Sequence, residues 1–325
     1  MSAPLTESRR GRVYQNESGF VLIVVLWAVA MVTIIALGFG RRAVLDTTAA
    51  MYSVDHAQAM MLARGAAERG IVEVRNKVML DMLEKEPPAG THLGQPWARP
   101  GDLYADDLYY SSEDKNPADI AQYTIEDAER YINVNTAPEA LLRNIKAVSP
   151  STLKKIIYRR TKETHKGEGI SAFQAVEELR YLDGVDDEAW FGTKRHPGLV
   201  ELVTTVGTGK VNPSTASEEV LRCIPGLPPA TAGRIAAYCR GEDGKPGTED
   251  DRGFKSFEDF TKKLNLQGDG AQAIQQYCAF DSKFFIITGT ATRQGGKVRA
   301  SCTVTVEVDG GNARVIAWKE DVLGA

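Results

Sequence analysis

Residues 242–251, EDGKPGTEDD, gather oxygen ligands within one short stretch. Asp243, Glu249, Asp250 and Asp251 share it with Gly244 and Gly247, and carboxylates on a Gly-bearing loop suit a hard cation such as Ca²⁺. The run does not follow the helix–loop–helix calcium template, with acidic residues at alternate positions and a closing Glu, so a solvated acidic loop is the plain alternative. Asp183, Asp186 and Asp187 make a second, weaker cluster. Thiols are the other reactive groups. Cys223, Cys239, Cys278 and Cys302 fit no zinc spacing, and His56, His92, His165 and His196 are scattered. In an exported chain these cysteines permit one or two disulfides; four allow three full pairings, and the sequence does not choose among them. No Ser/His/Asp or Cys/His signature is present. Paired carboxylates leave no signature of their own, but the expectation is that the chain is not an enzyme.

The elements that must position these residues begin with a duplication. Residues 135–145, NTAPEALLRNI, and 214–224, STASEEVLRCI, resemble each other. Thr136 with Glu139, and Thr215 with Glu218, have the spacing of a capping box, in which Thr accepts from a free helix N–H and Glu reaches back to the Thr N–H. Leu141, Leu142 and Ile145 share one helical face, as do Val220, Leu221 and Ile224. A turn and a second helix follow each, with Ser149-Pro150 opening the first and Ile156 and Ile235 at matching points. Phe173 and Phe257 then each introduce a further helix. The unit repeats after about eighty residues. Residues 223–230, CIPGLPPA, resemble the turn of a helix-hairpin-helix motif, which offers backbone N–H groups to a DNA phosphate. Here Pro228 replaces the second Gly and Pro229 follows, and neither has an N–H to donate. The matching turn at 146–149 has no Gly. With 39 Lys and Arg against 43 Asp and Glu, no basic field replaces those contacts, so the pair of modules reads as packing rather than nucleic-acid binding.

Strands flank the duplication. Residues 298–308 alternate strictly through Val298, Ala300, Cys302, Val304, Val306 and Val308, which is a strand buried on one face. Residues 284–292 and 313–319 read as its neighbours, with a DGGN turn at 309–312. Residues 122–127 and 131–134 predict earlier strands. The sheet is therefore split in sequence, with helices inserted into it. At 43% hydrophobic and 25% charged residues the chain is able to bury such a core.

Residues 20–40 hold no charge and are long enough to cross a bilayer as a helix. Arg9, Arg10 and Arg12 before the run favour a cytoplasmic N-terminus, while Arg41 and Arg42 after it oppose that orientation. Helical pattern continues through 43–84, with Gly65 and Gly70 as weak points or as contacts for a partner helix, and Pro87-Pro88 ends it. An Arg-bearing polar leader, then Gly19, then Phe20 opening an apolar helix, resembles the type IV prepilin leader. That resemblance implies cleavage after Gly19 by a prepilin peptidase, with N-methylation of Phe20. Most pilins carry Glu at the fifth mature position, where a buried carboxylate is costly in lipid unless paired; here the residue is Val24.

Taken in order, the leader without that Glu, the long helix, the split sheet and a helical insertion opening at 132–137, INVNTA, resemble minor pseudopilin K of type II secretion. The resemblance implies an α+β fold: a long N-terminal helix packed on a pilin-like antiparallel sheet, with a large all-helical insertion of two related modules. It divides the chain into a leader (1–19), a transmembrane and assembly helix (20–85), a β domain (86–135 and 283–325) and helical modules at 136–205 and 206–282. It implies a tip subunit that initiates pseudopilus assembly with minor pseudopilins I and J, held in the inner membrane by a single pass with its soluble domain in the periplasm. Members that bind calcium lend weight to the acidic loop as a Ca²⁺ site. A membrane-anchored helix-hairpin-helix DNA receptor and a minor type IV pilin are the rival readings.

Overall fold

The computed structural model describes residues 17–83, 90–104, 119–161 and 172–321. The arginines of the leader, Pro87-Pro88 and His165 lie outside them.

Helix α1 runs Glu17–Leu83 and belongs to two units that divide after Asp55. In the N-terminal unit every side chain from Gly19 to Val54 is exposed. Its hydroxyls do not break the apolar surface: Thr33 donates to the Val29 carbonyl, Thr47 to Ala43 and Thr48 to Val44, each at 2.8 Å. Among the described residues this is one helix long and apolar enough to cross a membrane.

The head begins at His56. Five antiparallel strands lie in the order β1 (Gly101–Leu103), β2 (Ile120–Asp127), β7 (Phe284–Arg293), β8 (Val298–Asp309), β9 (Asn312–Asp321). The alternation read in the sequence becomes the buried face: Phe285, Ile287 and Ala291 on β7, and Val298 through Val308 on β8. The later part of α1 covers that face with Ala59, Ala63, Ala66, Ala67 and Val74. Small residues make the approach close. A Cβ on Gly289 would strike the Ala63 carbonyl, and one on Gly70 would sit 2.6 Å from Ile287 Cγ2. Gly70 thus meets this chain's own sheet rather than a partner helix, while Gly65 has open space beside it.

Between β2 and β7 lies the helical insertion, whose two halves share one core of aliphatic and aromatic side chains. Each half holds a short helix, a turn and a longer helix: α2 (Glu139–Arg143) and α3 (Pro150–Thr161), then α6 (Glu218–Arg222) and α7 (Pro229–Cys239). The first half continues through a 3₁₀ helix (Val176–Tyr181), α4 (Asp187–Phe191), the hairpin β4 (Gly192–Thr193) and β5 (His196–Pro197), and α5 (Leu199–Leu202). The second continues through α8 (Phe257–Leu264) and α9 (Asp269–Tyr277). The α+β fold class expected from the sequence, with its helix, antiparallel sheet and helical insertion, is the fold observed.

One strand moves. Residues 131–134 do not join the main sheet. Ile132–Asn133 (β3) pairs in parallel with Val203–Thr204 (β6), tying the start of the first module to its end. Val211 makes the same kind of parallel bridge to Cys278 in the second.

Candidate functional site

The duplication is built on turns, not on capping boxes. Pro138 is the N-cap of α2 and gives no side-chain bond; the Thr136 hydroxyl instead meets the Gly207 carbonyl at 3.4 Å. In the second module Ser217 caps α6 by accepting from Val220 N at 3.3 Å. Each helix starts later than the sequence signature placed it, because an Asx turn holds the preceding residues. Asn133 Oδ1 accepts from Asn135 N at 2.8 Å, and Asn212 Oδ1 from Ser214 N at 2.9 Å. The following side chains pin a buried phenylalanine by its backbone: Asn135 Oδ1 accepts from Phe173 N at 3.0 Å, and Ser214 Oγ from Phe254 N at 3.3 Å. Phe254, not Phe257, is therefore the counterpart of Phe173. The facing position on the longer helix matches too, with the Arg159 guanidinium over the Phe173 ring at 4.1 Å and Tyr238 stacked on Phe254 at 4.9 Å.

Where the insertion joins the sheet lies a buried polar centre that sequence reasoning missed. Asp127, at the end of β2, is fully buried. Its Oδ2 accepts from Thr215 Oγ1 and Ser282 Oγ, both at 2.6 Å, and from Asn212 Nδ2 at 3.0 Å; its Oδ1 accepts from Glu129 N at 2.8 Å. Burial pushes its pKa up, and those four donors oppose the rise. Glu129 is raised by burial as well, although it accepts from Thr208 N and Lys283 N, both at 2.9 Å. These partners come from both ends of the second module, so the centre fastens helices to sheet. Asn212 was its one legible signal, as the residue equivalent to Asn133.

The acidic loop is drawn together, but mostly onto its own backbone. Asp250 Oδ2 accepts from Glu242 N and Asp243 N, and Oδ1 from Thr248 Oγ1 at 2.7 Å. Led by that hydroxyl, these bonds hold Asp250 down to about 2. Asp243 accepts from Lys245 N, and Glu249 pairs with Arg99 at 2.5 Å. Asp251 differs. It is buried, its Oδ2 accepts from Gly247 N at 2.6 Å, and its Oδ1 is enclosed without a partner. Burial raises its pKa, and the charges of Asp250 and Asp243 add to the rise. Among the described residues no three His, Cys, Asp or Glu side chains converge as metal ligands. The weaker cluster is structural: Asp186 caps α4, Asp183 pairs with Lys155 and Asp187 with Arg180.

All four cysteines are buried, and no two of their sulfurs are bonded. Cys223, Cys239 and Cys278 lie in the helical core and Cys302 in the sheet core. Burial pushes the thiols up, to about 11 for Cys223 and Cys302 and about 12 for Cys239 and Cys278, so none is a ready nucleophile. At the hairpin-like turn Pro228 caps α7 and Pro229 opens it, while Leu227 N donates to Ile224 O. That turn has no row of free N–H groups for a phosphate. Gly19, Phe20 and Val24 stand exposed on the first turns of α1.

Two comparisons by sequence, against family models and against curated proteins, find no match. By fold, the chain is similar to a chain of the GspK-GspI-GspJ complex from the enterotoxigenic Escherichia coli Type 2 Secretion System. The TM-score is 0.52 at 14% identity, and the alignment covers 84% of this chain and 99% of that chain. The fold is thus GspK-like over most of the chain.

Proposed function

We propose that this chain is a minor pseudopilin of a type II secretion machine, the K subunit, at the tip of the pseudopilus with minor pseudopilins I and J. What supports this most is the extent of the fold match, 84% of this chain and 99% of a chain taken from such a complex. On this reading a prepilin peptidase cleaves after Gly19, Phe20 becomes the N-methylated terminus, and α1 holds the protein in the inner membrane with its head in the periplasm. Val24 leaves no carboxylate for the amine of a neighbouring subunit, which suits a subunit that starts the fibre rather than extends it. The role is structural, with helix packing and subunit contacts as the working interactions.

Co-expression with a prepilin peptidase, followed by N-terminal sequencing, tests the reading. The mature chain should begin at methylated Phe20 and then co-purify with I and J subunits. A chain that begins elsewhere sinks it; correct cleavage without those partners points to the pilus machine instead.

The acidic loop is proposed to hold Ca²⁺ through Asp243, Glu249, Asp250 and Asp251. The support is Asp251 Oδ1, an enclosed carboxylate oxygen with no partner beside two further aspartates. The bound cation would neutralise that cluster and tie the loop. Thermal melting of the full chain should rise with Ca²⁺ and fall with chelator, and Asp251→Asn should abolish the difference. Melting that ignores calcium removes the site.

A further inference from the structure

The first module carries an element that the second lacks. Where the second continues through α9, the first makes the hairpin β4–β5, Gly192–Thr193 against His196–Pro197. The hairpin depends on glycine. Gly192 has φ +80°, and a Cβ on either Gly192 or Gly198 would collide with the other's backbone nitrogen. What this backbone presents at its tip is Lys194-Arg195.

That tip stands over a cleft of about 420 Å³, which also holds Lys146 and Arg222. The cleft straddles the two modules: Asn144 and Cys223, the equivalent C-caps of α2 and α6, both line it. Arg222 is held by Glu218. Among the described residues, the side chains of Lys146, Lys194 and Arg195 pair with no carboxylate, although Glu201 and Glu219 line the same cleft. Three unpaired cations beside two unpaired carboxylates are a specific combination. A bare phosphate or a DNA backbone meets the cations but brings no N–H donors for Glu201 and Glu219. A peptide has both halves of the complement, carboxylates for the cations and backbone N–H groups for the glutamates.

We propose that this cleft between the modules receives an acidic peptide segment of a partner protein. The hairpin is the device that distinguishes the first module for that purpose. The proposal does not depend on which machine the chain serves.

The test uses the full chain in detergent micelles and a fluorescein-labelled peptide of alternating Glu and Asp, read by anisotropy at low ionic strength. Saturable binding is expected, weakening as salt is added. Joint Lys194→Glu and Arg195→Glu substitution should weaken it about tenfold or more, because it reverses two contacts at an exposed site. Lys262→Glu, an exposed cation on α8, should change nothing. If the charge reversal lowers the melting temperature, Lys194→Ala with Arg195→Ala reads the same loss with less perturbation. The proposal is overturned by the absence of saturable binding, by an equal loss in Lys262→Glu, by a short DNA duplex binding more tightly than the peptide, or by inorganic phosphate displacing the peptide as well as unlabelled peptide does.

Discussion

The two helical modules share a skeleton and differ at the surface. Both open on a short parallel pairing, an Asx turn at Asn133 or Asn212 and a short helix, and both bury a phenylalanine pinned to that turn. The second module adds the acidic loop and an aromatic cluster, and only the first has the cationic hairpin. What the duplication preserves is what burial demands. The parts that depart from it carry unpaired charge: Asp251 in one module, Lys194-Arg195 in the other. Function is therefore to be sought where the modules disagree.

The largest contrast lies in the pinned phenylalanines. Phe254 stacks on Tyr238 and meets Phe260 and Phe280 edgewise, whereas Phe173 has the Arg159 guanidinium over its ring. Phe254→Ala should cost about 3–5 kcal/mol in urea unfolding of the full chain, the usual range for emptying a core aromatic site. Phe173→Ala should cost less, because a guanidinium partner remains hydratable once the ring is gone. Equal losses would mean that the two cores are equivalent after all.

The Asx turns come next. Asn212 Nδ2 reaches the Thr91 carbonyl, Asp127 Oδ2 and Ser282 Oγ, all buried, while Asn133 Nδ2 bonds the Gly207 carbonyl alone. Asn212→Ala should therefore destabilise by about 3 kcal/mol, against about 1–2 for Asn133→Ala, since buried polar groups left without partners cost about 1–3 kcal/mol each. The same denaturation series decides it, and a larger loss at Asn133 would remove the fastening role assigned to the Asp127 centre.

These contrasts show what the sequence could and could not reveal. The alternation of 298–308 and the apolar run of 20–40 were legible because one local period decides each. The repeat was legible through its leucines and Thr-Ala pairs, but its registration was not: a capping-box spacing predicted Thr136 and Thr215 as caps, whereas Pro138 and Ser217 hold those places. The sequence pairs Phe173 with Phe257, which opens a helix, yet burial follows the turn that pins the backbone, and that turn holds Phe254. The Asp127 centre escaped because its side-chain donors lie some eighty or more residues away in sequence. The cationic cleft escaped for the same reason, since no local pattern joins Lys146 to Lys194.

A smaller effect lies within the loop of the second module. Asp250 stands at about 2, while burial lifts its neighbour Asp251 above the ordinary range. Falling pH should protonate Asp251 first. A carboxyl raised in the folded state stabilises the fold at low pH, and that advantage is lost as pH rises through its folded pKa; Asp250 acts in the opposite sense, with stability present above its unfolded pKa and lost as pH falls toward 2. Carboxyl NMR titration should resolve the two in that order, and Ca²⁺ should carry Asp251 downward. Coincident titration would erase the distinction on which the cation reading rests.

The smallest effect is expected where the modules agree at the surface. Glu139–Arg143 and Glu218–Arg222 are equivalent i,i+4 pairs with both arginines exposed and Glu218 half-buried. Arg143→Ala and Arg222→Ala should each cost under about 0.5 kcal/mol, because such pairs trade a weak Coulomb gain against side-chain entropy and screening. Their difference should appear elsewhere. Arg222 lines the cleft beside the cationic hairpin. Removing it should weaken the acidic peptide while leaving unfolding unchanged, whereas Arg143→Ala should alter neither. If Arg222→Ala instead destabilises the fold by more than about 1 kcal/mol, the pair is part of the scaffold and belongs with what the duplication conserves.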